Sequence, residues 1–311
     1  MSSVSPGKDG GSFGSPEALL EVAAEVAVAG TPPSPAITEA ARAAAPLVAQ
    51  IPLPRLRAGI EAVIMGKALE AGLQWMHDAG LLAVLLPELE ATVDFSQEAG
   101  RRHKDVWEHT KQVVRQSVPK PSVRWAALLH DIGKVPTRVL LPDGRVTFHR
   151  HAEVGARMWD PIARRLGFDK PERQKIRFLI LHHLRANAYE PGWTDAAVRR
   201  FDLEMGDGLE ELLDLSRADV TSRRPGRRQE AVSNIHALKE RILAIRELDA
   251  RVPPLPPGLG NAIMEAFALP PSKRIGDLRK LCEEAVERGE LEERREADYY
   301  VAYLRASGQI A

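Results

Sequence analysis

The chain has 311 residues, 44% of them hydrophobic, and its 43 basic side chains balance 43 acidic ones. That length supports one large or two modest domains, and the even charge gives no global field toward nucleic acid or membrane, so any such binding rests on a local patch. One cysteine, Cys282, excludes an internal disulfide framework and a cysteine-based metal site and suits a reducing cytoplasm. No stretch approaches the roughly 20 uninterrupted apolar residues of a membrane span, and the opening residues lack a secretory apolar segment.

Residues 1–35 are rich in Ser, Gly and Pro and read as a flexible, disordered leader around one short apolar piece, Ala18 to Ala29. From Ile37 the pattern turns helical, with i, i+3, i+4 apolar spacing over Ile37 to Ala49, Leu53 to Ala71 and Leu73 to Ala79. Strand signals are sparse. Arg138 to Phe148 is the exception, where Pro-Asp-Gly between two β-branched runs predicts a short hairpin. Pro253-Pro-Leu-Pro-Pro257 ends the central helices, and a charged segment from Ser272 to Arg305 follows with apolar residues at helical spacing. The fold class expected is all-α with one β-hairpin.

The chemistry concentrates in the middle. Seven of nine histidines fall between positions 103 and 183, and His130-Asp131 directly follows the apolar run Trp125-Ala-Ala-Leu-Leu129. A buried carboxylate beside an imidazole is costly unless a cation compensates it, and a bound metal does this well. Val106, His109 and Val113 share one face, so His109 points inward, and Asp105 one turn earlier can orient it or reach a metal itself. Asp219 falls on the buried stripe of Leu212, Leu215 and Ser216; a salt bridge to Arg217, Arg223 or Arg224 is the alternative to a metal. His182 and His183 follow Phe178-Leu-Ile-Leu181, so that one can face the site while the other supports it. Of His149 and His151, one is aimed by its loop at the same pocket. His77 and His236 read as structural or exposed.

The order His109, His130-Asp131, His151, His182-His183, Asp219 resembles the HD superfamily of metal-dependent phosphohydrolases, with Leu129-His-Asp-Ile-Gly-Lys134 as its most specific part. By that resemblance His109, His130, Asp131 and Asp219 form a primary metal site, while His151 and one of His182 and His183 hold a second ion bridged by Asp131. Imidazole plus carboxylate favours Mn, Fe, Co, Ni or Zn over Mg, with one or two divalent ions. Lys134 either neutralises charge developing on a phosphate or is a solvated lysine. Arg217, Arg223, Arg224, Arg227 and Arg228 put positive charge after Asp219, where it grips a nucleotide or RNA phosphate or else decorates a solvated turn. Aromatics for base stacking are few; Trp159, Tyr189 and Trp193 are nearest in sequence.

Arg102-His-Lys-Asp-Val-Trp-Glu-His-Thr110, Phe148-His-Arg-His-Ala-Glu-Val-Gly155 and Ser216-Arg-Ala-Asp-Val-Thr-Ser-Arg223 narrow the resemblance to the HD region of bacterial CCA-adding tRNA nucleotidyltransferases, and residues 37–91 are similar to their neck helices. The chain is thus expected to divide into a leader (1–35), a neck-like region (36–95), an HD domain (96–250) and a helical tail (251–311). No Asp-x-Asp pair occurs anywhere in it, so the nucleotidyltransferase head is expected to be absent. The resemblance implies a metal-dependent phosphohydrolase acting on nucleotide or RNA 3′-end phosphoesters, of phosphomonoesterase or 2′,3′-cyclic phosphodiesterase type. The competing expectation is a headless tRNA-binding subunit without catalysis. No membrane partner is expected, and the apolar tail helix leaves a homodimer open.

Overall fold

The computed structural model describes residues 13–95, 105–222, 224, 226–250 and 253–308. The described residues are all-α with one hairpin, and two compact units divide the chain, residues 1–242 and 243–311.

The first unit opens with α1 (Glu17–Ala29), α2 (Pro35–Ala44), a short 3-10 turn, α3 (Leu53–Ile64), α4 (Leu69–Asp78), α5 (Leu81–Leu85) and α6 (Pro87–Glu90). Helix α1 corrects the expected leader: Leu19, Leu20, Ala23, Val26 and Ala27 are buried against α3 and α4. The signal was masked because α1 is Ala-rich and its partner surface is made by glycines. A Cβ on Gly72 would lie 2.6 Å from Ala27 Cβ, and one on Gly66 2.5 Å from Ala27 O. Close approach of backbones supplies the burial that large side chains supply elsewhere.

The chain continues through α7 (Val106–Gln116), α8 (Pro121–Leu129), α9 (Lys134–Thr137), strands β1 (Val139–Leu140) and β2 (Val146–Thr147), α10 (His151–Arg165), α11 (Lys170–His182), α12 (Asp195–Met205), α13 (Leu209–Asp219) and α14 (Arg227–Ala250). The strands pair antiparallel, Val139 with Thr147 and Leu140 with Val146; the Asp143 carboxylate accepts from Arg145 N at 3.0 Å and Gly144 turns at φ +81°, so the hairpin forms on the Pro-Asp-Gly expected for it.

Helix α8 is the axis of this unit. Every residue from Val123 to Leu129 is buried, and α3, α7, α11 and α13 all pack on it. A helix apolar on all sides has to lie inside, and His130-Asp131 at its C-terminal end is therefore delivered to the interior. Polar ties join α3 to this bundle. The Arg57 guanidinium forks onto both Glu172 oxygens at 2.6 and 2.7 Å, lies 3.9 Å over the Phe168 ring, and shares Glu61 with the Trp125 indole N–H.

In the second unit α15 (Leu259–Ala266), α16 (Lys273–Glu287) and α17 (Ala297–Ala306) close around their own core, centred on Ile263, Cys282, Ala285, Tyr300 and Leu304. The buried Tyr300 hydroxyl donates to Glu292 O at 2.8 Å. Among the described residues no helix is long and apolar enough to cross a membrane.

Candidate metal centre

Five helices converge their ends on one point. Helix α7 brings His109, the end of α8 brings His130 and Asp131, the start of α10 brings His151, the end of α11 is followed by His183, and α13 ends on Asp219. Helix ends suit this purpose because their last carbonyls have no partner inside the helix. His130 Nδ1 donates to Ala127 O at 2.8 Å and His183 Nδ1 to Ile180 O at 2.7 Å, each one turn back. His151 Nδ1 donates to Phe148 O at 2.9 Å. A carbonyl only accepts, so these bonds put the proton on Nδ1 and turn the Nε2 lone pair toward the centre. His109 is anchored differently, its Nδ1 lying 3.0 Å from the Thr221 hydroxyl.

The Nε2 atoms then crowd one another. His109 and His130 are 3.2 Å apart, and His151 and His183 3.3 Å apart. Asp131 stands between the two pairs: Oδ2 lies 3.2 Å from His130 Nε2 and 3.4 Å from His109 Nε2, while Oδ1 lies 3.5 Å from His151 Nε2. Asp219 Oδ1 adds a second acid, 3.0 Å from His109 Nε2 and 3.5 Å from His130 Nε2. Lone pairs and carboxylates at these spacings require positive charge among them. Two nitrogens each about 2.0–2.1 Å from one ion sit roughly 3–3.4 Å apart, so the measured spacings fit a shared cation. Two donor groups meet this test, His109-His130-Asp131 and Asp131-His151-His183, joined through Asp131. The mixed imidazole and carboxylate set matches transition metals better than Mg, which prefers oxygen.

The electrostatics agree. Burial opposes charge on His130, but Asp131 and Asp219 outweigh it and raise its pKa to about 10. Burial likewise opposes ionisation of Asp131 and Asp219, yet the charge of His130 and Lys134 on the former, and hydrogen bonds from His109 and His130 on the latter, hold both well below the usual carboxylate range. Burial lowers His151, and lowers His183 to about 4. His130 therefore sits in a field that demands a cation, whether proton or metal, while His151 and His183 are kept neutral and able to ligate.

Backbone proximity builds the floor. A Cβ on Gly133 would fall 2.0 Å from His151 O and 2.6 Å from Gly155 N, so the glycine after Ile132 is what lets α10 approach the His130-Asp131 turn. Gln116 on α7 donates to Ala218 O at 2.6 Å and fixes the end of α13 beside Asp219.

Several expectations are redistributed. His182 is not among these donor groups; its ring packs on Phe178 at 4.6 Å, and burial followed by the Arg185 charge lowers its pKa. The phase of α11 explains the choice, since Ile176, Leu179, Ile180 and His183 form one buried i, i+3, i+4, i+7 stripe. His149 is exposed, and Arg150 at φ +62° turns the chain so that His151 points in. Asp105 is the N-cap of α7, accepting from Trp107 N at 2.7 Å and Glu108 N at 3.2 Å, and is not among these donor groups. Lys134 is not solvated; its Nζ donates to Asp131 Oδ2 at 2.7 Å. Arg217 is tied to Asp214 on its own helix, and Arg224 is exposed. Arg223 and His103 lie outside the described residues. Trp159 and Tyr189 are buried core aromatics, and Trp193 packs edge-on against Tyr189 and Phe201. Thr221, Gly133 and Gln116 are the positioning groups that sequence reasoning missed. The Nδ1 partner of a ligand histidine, when it is a side chain from another segment, leaves no periodic signal.

Comparison with known proteins gives this geometry a context. Residues 96–224 match the HD domain family, a span holding all six converging residues, and residues 33–92 match the family described as the probable RNA and SrmB-binding site of polymerase A. The chain is 32% identical over 262 residues to the A-adding tRNA nucleotidyltransferase of Deinococcus radiodurans, covering 81% of this chain and 59% of the relative. It is 30% identical over 257 residues to the CC-adding tRNA nucleotidyltransferase of Thermus thermophilus, covering 81% and 56%. Among solved structures, the CCA-adding enzyme of Bacillus stearothermophilus in complex with CTP aligns over 94% of this chain and 62% of that chain, at 17% identity and TM-score 0.41. The chain thus spans under two thirds of the length of the relatives it matches. It carries an HD domain over residues 96–224, preceded by a segment matching the polymerase A family, and is similar over most of its own length to tRNA nucleotidyltransferases.

Proposed function

We propose that this chain is a metal-dependent phosphohydrolase acting on phosphoesters of nucleotides or RNA ends, of the phosphomonoesterase or 2′,3′-cyclic phosphodiesterase type. The observation that supports it most is the convergence of four imidazole Nε2 atoms and two carboxylates on one point, with Asp131 shared between two donor groups. His109, His130, Asp131 and Asp219 would hold one ion, and Asp131, His151 and His183 a second. A bound divalent ion would supply Lewis acidity and a water whose pKa is lowered to about 7.

The chain's own groups supply the rest. The three Nδ1-to-carbonyl bonds fix ring orientation before any ligand arrives, so little reorganisation is left to the reaction. Lys134, held 2.7 Å from Asp131 and 13% exposed, keeps a positive charge at the rim where phosphate oxygens gain negative charge. Incubation of the protein with Mn, Co, Ni or Mg and a panel of phosphomonoesters and 2′,3′-cyclic nucleotides tests the reading. Turnover lost in Asp131→Asn is the expected result; no turnover with any metal contradicts it.

A second reading is favoured by the RNA-binding match over residues 33–92. In it the chain binds tRNA without catalysis of its own. It requires tRNA affinity that falls steeply with salt, together with absence of hydrolysis. A filter-binding titration showing no tRNA retention at low salt removes it.

A further inference from the structure

Two aromatic rings outside the core stand beside the centre. Phe148 and Phe95 face each other with centroids 6.3 Å apart and planes tilted by 54°, and both are half-buried. They differ from the aromatics of the interior: Trp125, Trp159 and Phe168 pack on one another at 0%, 0% and 6% exposure. Phe148 and Phe95 instead carry cations on their faces. Lys134 Nζ lies 5.7 Å from the Phe148 centroid, and the exposed Arg138 guanidinium lies 5.7 Å from that of Phe95. Both distances are within the reach of a cation–π contact.

The pair is also tied to the centre. The Phe148 carbonyl holds His151 Nδ1, and Lys134 spans from the Phe148 face to Asp131 Oδ2. Two part-exposed π-faces with a positive rim, joined through Lys134 to the carboxylate of the proposed metal centre, form the complement of a base joined to a phosphate.

We propose that Phe148 and Phe95 form a nucleobase platform for the substrate, with Arg138 at its rim and Lys134 between base and phosphate. The inference rests on the reading of the centre as a phosphoester site and narrows its substrate to molecules that carry a base next to the reacting phosphate. The source is either a mononucleotide or an RNA end, which offer the same chemistry.

The test is equilibrium binding to the manganese-loaded full chain of three probes: AMP, an RNA tetranucleotide with a 3′-phosphate, and ribose 5-phosphate, which has no base. Base stacking is worth roughly 5- to 150-fold in affinity. The expected result is that AMP, the RNA or both exceed ribose 5-phosphate by that factor, and which of them gains identifies the source. In Phe148→Leu the gain collapses while ribose 5-phosphate affinity and manganese content stay at the wild-type level; Phe148→Trp retains it. No gain for either base-bearing probe in the wild type, or a gain that survives in both Phe148→Leu and Phe95→Leu, overturns the proposal. Absence of manganese-dependent ribose 5-phosphate binding would sink the underlying reading of the centre, and the platform with it.

Discussion

Replacing Thr221 with valine asks how the centre is held together. Three of the four converging imidazoles are oriented by backbone carbonyls that no substitution removes, but His109 depends on the Thr221 hydroxyl, 3.0 Å from Nδ1. Valine keeps the shape and deletes the hydroxyl. Nδ1 of a side chain only 16% exposed then loses its partner, and the ring loses the bond that aims Nε2 at the centre. A net hydrogen bond of about 1 kcal/mol plus the loss of a fixed ring orientation brings the effect into the range of groups that orient metal ligands, about 10- to 100-fold in affinity, or about 1.4–2.7 kcal/mol. Competition titration of Mn or Zn against a chromophoric chelator measures it. Thr221→Val should lose that factor and Thr221→Ser should recover most of it, while the metal-free stability of Thr221→Val falls by only about 1 kcal/mol, the worth of the one hydrogen bond. Equal metal affinity in wild type and Thr221→Val would refute the assignment of His109 as an oriented ligand.

Metal uptake should release a proton. His130, raised to about 10, carries a second proton at neutral pH that must leave before Nε2 can ligate, so affinity climbs with pH up to that value by about tenfold per unit. His183, lowered to about 4, is already neutral and contributes none. Calorimetry in buffers of different ionisation heat should find about one proton released for the first ion at pH 7, and none would contradict the acid–base account. Gly133→Ala should cost about 1–3 kcal/mol or more in urea unfolding, because its Cβ meets His151 O at 2.0 Å and backbone cannot rotate away; an unchanged midpoint would show that the contact is slack. Arg57→Ala should cost about 1–2 kcal/mol, discounted for the partial exposure of its Glu172 partner, and Arg57→Lys should recover under half of it, since an ammonium neither forks onto a carboxylate nor stacks as a plane on Phe168. Full recovery by lysine would assign the effect to charge alone.

Much of this was readable from the chain because its signals are periodic. The apolar run into His130 specified a buried helix, and the helix proved to be the axis of the bundle. His109 sits on the apolar side of its helix as the spacing of Val106 and Val113 requires, and Pro-Asp-Gly made its hairpin. The choice between His182 and His183 was also available, since only His183 continues the stripe of Ile176, Leu179 and Ile180. Other features carry no period. The ordered helix Glu17–Ala29 was hidden because its packing is made by alanines on glycines, in a composition shared with disordered segments. Thr221 acts through a bond spanning 112 positions, and the Phe148–Phe95 pair forms across a gap of 53, so neither appears before the chain is folded. Arg217 belongs by sequence to a basic cluster, and its pairing with Asp214, one turn away, is visible only in the folded chain.

The central claim is that these imidazoles and carboxylates gather around a cation. Inductively coupled plasma mass spectrometry of the untreated, purified protein tests it most directly. One to two equivalents of a transition metal per chain, falling below one in Asp131→Asn, is the result this account requires. Protein that arrives without metal and takes up none from added Mn, Co, Ni or Zn would contradict it.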